Sequence, residues 1–235
     1  GKLVRDVKPD VSISFLTRAN LSNVISARGP CIISERANTS THFGRGAMGT
    51  ISKALVRAIY PRATKIIAVS EGVAEGLRDK FGVRADRLVA IANPVDVQAI
   101  QAKADETPSF TLAEPYILAA GRLVPSKNFE MLIRAYAASN VPAKLVIAGD
   151  GELRGHLEAT ARECGVKDRV IFPGFIANPY PVMRSAQLFV LSSNSEGFPN
   201  ALVESMALGV PVIATNAPSG PSEILAEASR GSITD

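Results

Sequence analysis

The chain has 235 residues, 46% hydrophobic and 20% charged, with a mean hydropathy of +0.15, which excludes a disordered tail, a collagen-like repeat and a disulfide-dense secreted scaffold and suits two domains. The net charge of +4 is uneven: residues 1–95 hold 15 Lys/Arg against 7 Asp/Glu, whereas residues 96–235 hold 11 against 15. The absence of Trp, an aromatic content of 6% and the lack of any RNA-binding or zinc-finger signature argue against nucleic acid, and no apolar run approaches the roughly 18 residues a bilayer requires.

Residues 1–3 resemble neither a signal peptide nor a natural beginning. Residues 3–9 read as the tail of a helix leading into a strand at 11–15, and a second strand follows at 31–34. Helix 47–60, strand 66–70, helix 72–81 and strand 88–91 come next, closed by Asn93-Pro94-Val95-Asp96. After a polar stretch, strand 116–120, helix 128–139, strand 145–148, helix 152–164, strand 170–172, strand 188–191, helix 200–208 and strand 210–214 complete the pattern. Most of these strands are continuous apolar runs, as in a parallel sheet covered on both faces, and their alternation with helices defines an α/β architecture of Rossmann-like units. The expected domains are 1–96, a linker at 97–112, and 113–235. The first is thin for a doubly wound domain and is expected to be incomplete. Cys31 and Cys164 lie 133 residues apart, which fits no metal or redox spacing, and both read as reduced core thiols.

Two motifs carry chemistry. In Ser195-Glu196-Gly197-Phe198-Pro199-Asn200-Ala201-Leu202-Val203-Glu204 a strand gives way to a loop and then to a helix start, for which Pro and Asn are suited. The amides of Ala201, Leu202 and Val203 are expected to be free at the positive end of the helix dipole, a site for phosphate or sugar hydroxyls. Glu196 and Glu204 offer carboxylate acceptors for vicinal hydroxyls. Taken alone, the pair also fits an ordinary helix cap with two solvated glutamates. In the second motif, strand 116–120 runs into Gly121-Arg122-Leu123-Val124-Pro125-Ser126-Lys127-Asn128, placing two cations at the carboxyl end of a strand, where ligands of open α/β sheets sit. A departing diphosphate needs such charge from a metal or from Arg and Lys, and no Asp-x-Asp pair or His cluster offers a metal site. One Arg and one Lys in a loop are otherwise solvated charges.

These motifs, with Ala148-Gly149-Asp150-Gly151, Pro173-Gly174-Phe175 and Gly220-Pro221-Ser222-Glu223-Ile224, resemble the retaining glycosyltransferases of family four, which have the GT-B fold of two Rossmann-like domains. The likeness covers nearly all of residues 116–225. It is looser over 9–96, where Lys8-Pro9-Asp10, Ile33-Ser34-Glu35-Arg36, Ala68-Val69-Ser70 and Asn93-Pro94-Val95-Asp96 carry it. The resemblance implies that Arg122 and Lys127 hold the nucleotide diphosphate and stabilise its departure, that Glu196 meets the transferred sugar, and that Glu204 accepts from the ribose. It implies that Gly121, Gly197 and the amides from Phe198 through Asn200 and Ala201 to Val203 line the sugar–phosphate path, while Gly174, Phe175 and Ile176 meet the base. Catalysis without metal or other cofactor, a nucleotide-sugar donor (a UDP-sugar) and a glycan or lipid-linked acceptor follow from the same likeness.

Where many family members carry His after the strand at 31–34, this chain has Glu35-Arg36, as in a subset resembling lipid-linked oligosaccharide transferases, and the resemblance implies that Glu35, Arg36 and His42 are acceptor-side residues. His42 stands nearby as a substitute or as a surface residue. The family's Gly-rich loop of the first domain is absent, and the last strand and helices after Glu223 are expected to be missing or cut short. Gly44-Arg45-Gly46-Ala47-Met48-Gly49 fits the dinucleotide fingerprint, yet the polar stretch 35–43 separates it from the preceding strand. A nucleotide-sugar-binding fragment without turnover and a dinucleotide-dependent oxidoreductase are therefore the alternatives to a transferase. Finally, Arg45, Lys53, Arg57, Arg62 and Lys65 among Met48, Ile51, Leu55, Val56 and Ile59 form a basic amphipathic stretch. It suits either the domain core or an anionic membrane surface. A cytoplasmic location, peripheral on the cytoplasmic face of a membrane, is the corresponding expectation.

Overall fold

The computed structural model describes residues 2–39, 43, 46–226 and 231–234. The chain divides into two compact units. One comprises Gly1–Asn93, Ser195–Phe198 and Pro218–Glu223, the other Pro94–Asn194, Pro199–Ala217 and Ile224–Asp235.

In the first unit, β1 (Ser12–Phe15), β2 (Cys31–Glu35), β3 (Lys65–Ala68) and β4 (Leu88–Ala90) run parallel and lie side by side in chain order. Among the described residues the helices that accompany them are α1 (Lys2–Val7), α2 (Thr17–Ser26), α3 (Ala47–Ile59) and α4 (Glu71–Phe81). The core gathers Ile33 and Ile66 from the sheet with Val56, Tyr60 and Leu77 from the helices and the turn after α3. Helix α4 shows how local sequence sets an element. The Ser70 hydroxyl accepts the Val73 amide at 3.3 Å, Val73, Ala74, Leu77 and Phe81 bury one stripe, and Gly82 at φ +70° ends the helix.

Six parallel strands form the second unit: β5 (Tyr116–Ala120), β6 (Lys144–Ala148), β7 (Val170–Gly174), β8 (Leu188–Leu191), β9 (Val212–Thr215) and β10 (Gly231–Thr234). Their spatial order is β10-β9-β8-β5-β6-β7, so the chain starts in the middle, winds out to one edge, returns and winds out to the other. This is the doubly wound order, and its switch point lies between β5 and β8. The helices are α5 (Val97–Ala104), α6 (Phe129–Ser139), α7 (Arg154–Glu163), α8 (Tyr180–Arg184), α9 (Asn200–Ala207) and α10 (Pro221–Leu225). One core cluster centres on Leu118, Phe189 and Leu202, a second on Ile133, Leu145 and Leu157.

Several expectations are corrected here. Strand β10, which follows Glu223, pairs with β9 from Gly231↔Val212 to Thr234↔Thr215, so a strand is present where one was expected to be missing or cut short. The stretch 97–112, expected as a linker, carries α5, whose Ile100 and Ala104 are buried. His42, Gly44 and Arg45, between β2 and α3 in sequence, lie outside the described residues; α3 itself starts at Ala47.

Candidate functional site

The carboxyl ends of β5, β6 and β7 and the helices α8 and α9 enclose a cavity of 460 Å³ in the second unit. Its lining runs strand by strand. Gly121 and Arg122 follow β5, Gly149 and Asp150 follow β6, Phe175 and Ile176 follow β7, and Ala201 and Glu204 come from the first turns of α9. Pro179 and Met183 close it from α8. The position is where doubly wound sheets bind ligands, and the volume is that of an ordinary small-molecule site.

Backbone packing shapes this rim. The Gly121 amide donates to the Ala148 carbonyl at 2.9 Å, and the Leu123 amide donates to that of Asp150 at 2.9 Å, so the loops after β5 and β6 are zipped together. Gly149 makes this possible: at φ +143° a Cβ would fall 1.9 Å from the Gly121 carbonyl oxygen. The loop after β5 is also fastened to that after β8. The Asn194 amide donates to Ser126 and the Ser192 hydroxyl to Lys127, each at a main-chain carbonyl and 2.8 Å, while Asn128 Nδ2 donates to Asn194 Oδ1 at 2.9 Å. Lys127 thereby lies along Gly121, where a Cβ would stand 3.3 Å from its Cε. Arg122 is exposed at the cavity wall. Two cations thus flank one glycine at the switch point, a suitable arrangement for an anionic ligand.

On the opposite wall Glu204 is half-buried, and burial raises its carboxyl above the ordinary value while a hydrogen bond from the Tyr180 phenol pulls it partly back. Tyr180 shifts upward through its own burial and the adjacent Glu204 charge. Neither Tyr180 nor Asp150 has an expected role in the sequence; Tyr180 sits on the five-residue helix α8, which carries no periodic signal. Phe175 leaves 79% of its surface exposed beside the cavity, an apolar plate available to a flat ring.

Of the residues singled out in the sequence, Gly121, Arg122, Phe175, Ile176, Ala201 and Glu204 line this one cavity. Gly174 ends β7 at φ +86° and its carbonyl accepts the Gly149 amide at 2.8 Å. Asn200 opens α9. The free amides expected at that helix start are corrected in two cases: Leu202 and Val203 both donate to the Pro199 carbonyl, at 3.1 and 3.4 Å, because Pro199 caps the helix and its carbonyl already faces inward. The Leu202 side chain is wholly buried in the core. Glu196, Gly197 and Phe198 group with the first unit, where Phe198 packs against the core.

The acceptor-side expectation for Glu35 is also corrected. Its side chain is 1% exposed and points into the first unit, accepting from the Tyr60 phenol at 2.5 Å, from Thr17 Oγ1 at 3.3 Å and from the Arg36 amide at 3.2 Å. Desolvation raises its carboxyl above the ordinary value. Glu35 is an interior network residue. Arg36 reaches the Asn93 side-chain oxygen within the same unit. Both cysteines are free, Cys31 buried and Cys164 half-buried. Among the described residues no group of three His, Cys, Asp or Glu side chains could hold a metal ion, and no helix is long and apolar enough to cross a membrane.

The fold and the switch-point cavity define an α/β protein with a doubly wound sheet, and comparison with known proteins specifies its family. Residues 101–235 match the family described as Glycosyl transferases group 1, and residues 2–99 match the one described as Glycosyltransferase Family 4. The chain belongs to the group 1 glycosyl transferases. It is 32% identical over 231 residues to N-acetylgalactosamine-N,N'-diacetylbacillosaminyl-diphospho-undecaprenol 4-alpha-N-acetylgalactosaminyltransferase of Campylobacter jejuni, covering 96% of this chain and 63% of that protein. To the lipopolysaccharide core biosynthesis glycosyltransferase LpsE of Rhizobium meliloti it is 29% identical, covering 99% and 63%. The crystal structure of Anabaena HepE in complex with UDP and glucose superposes with a TM-score of 0.80 at 23% identity, over 99% of this chain and 66% of that one. The fold is therefore GT-B, as expected from the sequence, and the chain spans about three-fifths of the length of the curated relatives it matches.

Proposed function

We propose that this chain belongs to a retaining, metal-independent glycosyltransferase of family four that moves a sugar from a UDP-sugar to a glycan or lipid-linked acceptor. The observation that carries the reading is the cavity at the switch point, which has Arg122 on one wall, Glu204 on the other and Lys127 packed along Gly121 beside it. In this reading residues 113–235 form the donor domain and residues 1–96 the acceptor side. Glu204 accepts hydrogen bonds from the two ribose hydroxyls, and Phe175 with the backbone of Gly174 and Ile176 meets the base. Arg122 and Lys127 hold the diphosphate. When the sugar–phosphate bond breaks, its electron pair passes to the diphosphate oxygen, and these two cations stabilise the charge that develops there. The acceptor oxygen bonds to the anomeric carbon on the face the leaving group departs from, and its proton goes to the departing phosphate. Glu196 holds hydroxyls of the sugar meanwhile. Relatives whose names carry diphospho-undecaprenol and lipopolysaccharide core biosynthesis support a lipid-linked acceptor, and with it a peripheral place at a membrane, which in this reading is its cytoplasmic face.

The experiment is calorimetric titration of the full-length protein with UDP, GDP and NAD, followed by incubation with radiolabelled UDP-sugars and membrane extract. UDP binding with label passing to the lipid fraction, unaffected by EDTA, is expected. Saturable UDP binding without transfer would leave a nucleotide-sugar-binding module, a requirement for Mg²⁺ or Mn²⁺ would overturn the role of the two cations, and preference for NAD would overturn the reading altogether.

A further inference from the structure

We propose that Ser219 and Glu223 are positioning residues for Glu196, fixing the main chain on which that carboxylate stands. The inference rests on the reading above, in which Glu196 meets the transferred sugar. All the contacts that support it lie within the first unit.

Helix α4 begins with the amides of Glu71, Gly72 and Val73, which have no acceptor inside the helix. Val73 donates to the Ser70 hydroxyl, and the other two donate to one side chain, that of Glu223: Glu71 to Oε2 and Gly72 to Oε1, each at 2.8 Å. A carboxylate at the positive end of a helix dipole is well placed. The Gly220 amide donates to the same Oε1 at 3.4 Å, so Glu223 seats the turn 218–223 on the helix. The seat is close enough to require glycine at position 72, where a Cβ would fall 2.8 Å from Ser219 Cβ and 3.1 Å from Glu223 Oε1.

Ser219 stands in this turn at φ +64°, a conformation that costs a serine and is free to a glycine. What serine has and glycine lacks is the hydroxyl. Ser219 Oγ accepts from Asn38 Nδ2 at 3.0 Å and faces two carbonyls as donor, its neighbour Pro218 at 2.6 Å and Glu196 at 2.8 Å. It thus links the loop after β2 to the main chain of Glu196. The next residue is pinned from the other side: a Cβ on Gly197 would stand 2.3 Å from the Arg36 carbonyl oxygen. Glu196 is held between these two contacts. A strained residue whose side chain orients a functional one is where such strain is retained.

The test uses the full-length enzyme, UDP as the binding probe and the UDP-sugar that supports transfer as donor. Ser219→Ala and Glu223→Gln are expected to lower kcat at least fivefold while the Kd for UDP stays within twofold. Ser219→Gly relaxes the backbone but lacks the hydroxyl, so it is expected to show the same loss, and it carries the test should the alanine variant fail to fold. Adding Ser219→Ala to Glu196→Ala is expected to cost nothing more, since both act through one group. Unchanged kcat in the single variants, losses that multiply with Glu196→Ala, or UDP affinity falling in step with kcat would overturn the proposal. Wild-type transfer by Glu196→Ala would show instead that the underlying reading of Glu196 is wrong, and the proposal would fall with it.

Discussion

Glu204 combines burial, which favours its neutral form, with a Tyr180 hydrogen bond, which favours its charged form. If the carboxylate accepts from two ribose hydroxyls, at about 1 kcal/mol per hydrogen bond, Glu204→Ala should weaken UDP binding by roughly ten- to thirtyfold. Binding should also decline as pH falls through the Glu204 pKa. Tyr180→Phe removes the contact that lowers that pKa, so its UDP affinity should begin to decline at a higher pH than in the wild type. Calorimetry across pH 4–8 would check both, and superimposable pH profiles would remove Tyr180 from the site. Glu35 illustrates the same balance in a structural role. Its folded pKa is raised by desolvation, so its contribution to stability is greatest at low pH, and is lost as pH rises through the folded value. Glu35→Gln keeps an acceptor for Tyr60 and carries no charge. The difference in Tm between this variant and the wild type should therefore grow in favour of the variant from pH 4 to pH 8. A difference that is constant with pH would mean that Glu35 ionises as readily folded as unfolded.

At the scale of elements, most strands were legible because they are short apolar runs, and 116–120 and 188–191 coincide with β5 and β8 to the residue. Helix α2 was not, for a physical reason: its one fully buried residue is Asn20, which donates to the Ser34 carbonyl at 2.8 Å and to the Tyr60 hydroxyl at 3.3 Å. Besides it only the partly buried Leu21 and Val24 of this helix pack against the core, too few to mark a hydrophobic period. Strand β10 is four residues, mostly exposed, and lacks the apolar run that marks the others. In the site, Arg122 and Glu204 were legible from motif and spacing, whereas Tyr180 and the inward turn of Glu35 depend on contacts between elements distant in sequence. Gly149 shows how much one such contact matters. Gly149→Ala would force a Cβ against the Gly121 carbonyl, a backbone atom that cannot rotate aside, and would add an unfavourable φ. It should destabilise the protein by more than about 2 kcal/mol in urea denaturation and weaken UDP binding, because the strained loop is the cavity rim. A stability change under about 0.5 kcal/mol would show that the two loops separate readily.

For the molecule as a whole, residues 1–95 carry an excess of cations, of which Lys53 and Arg57 lie on α3. Val56 and Ile59 of that helix are buried, yet Met48, Ile51 and Leu55 are 76%, 55% and 45% exposed and recur at helical spacing on one side. Lys53 and Arg57 lie on the other side of the helix from this stripe and, with Thr50 and Lys80, line a 440 Å³ surface cavity. An exposed apolar stripe in a part of the chain rich in cations suits the interface of an anionic leaflet, where each Lys or Arg contributes roughly 1 kcal/mol. Co-sedimentation with vesicles containing anionic lipid is therefore expected, and little with neutral ones. Raising salt from 0.1 M to 1 M shortens the Debye length from about 10 Å to about 3 Å, so the bound fraction should fall steeply. Charge reversal at Lys53, Arg57 and Arg62 should abolish binding without unfolding the protein, because exposed charges alter stability by only about 0.5 kcal/mol. Replacing Met48, Ile51 and Leu55 with Ser should weaken binding while leaving its salt dependence intact, since the apolar and ionic contributions are separable. Equal sedimentation with neutral vesicles would assign the attachment to the apolar stripe alone, and none with anionic vesicles would show that α3 faces water or another part of the protein.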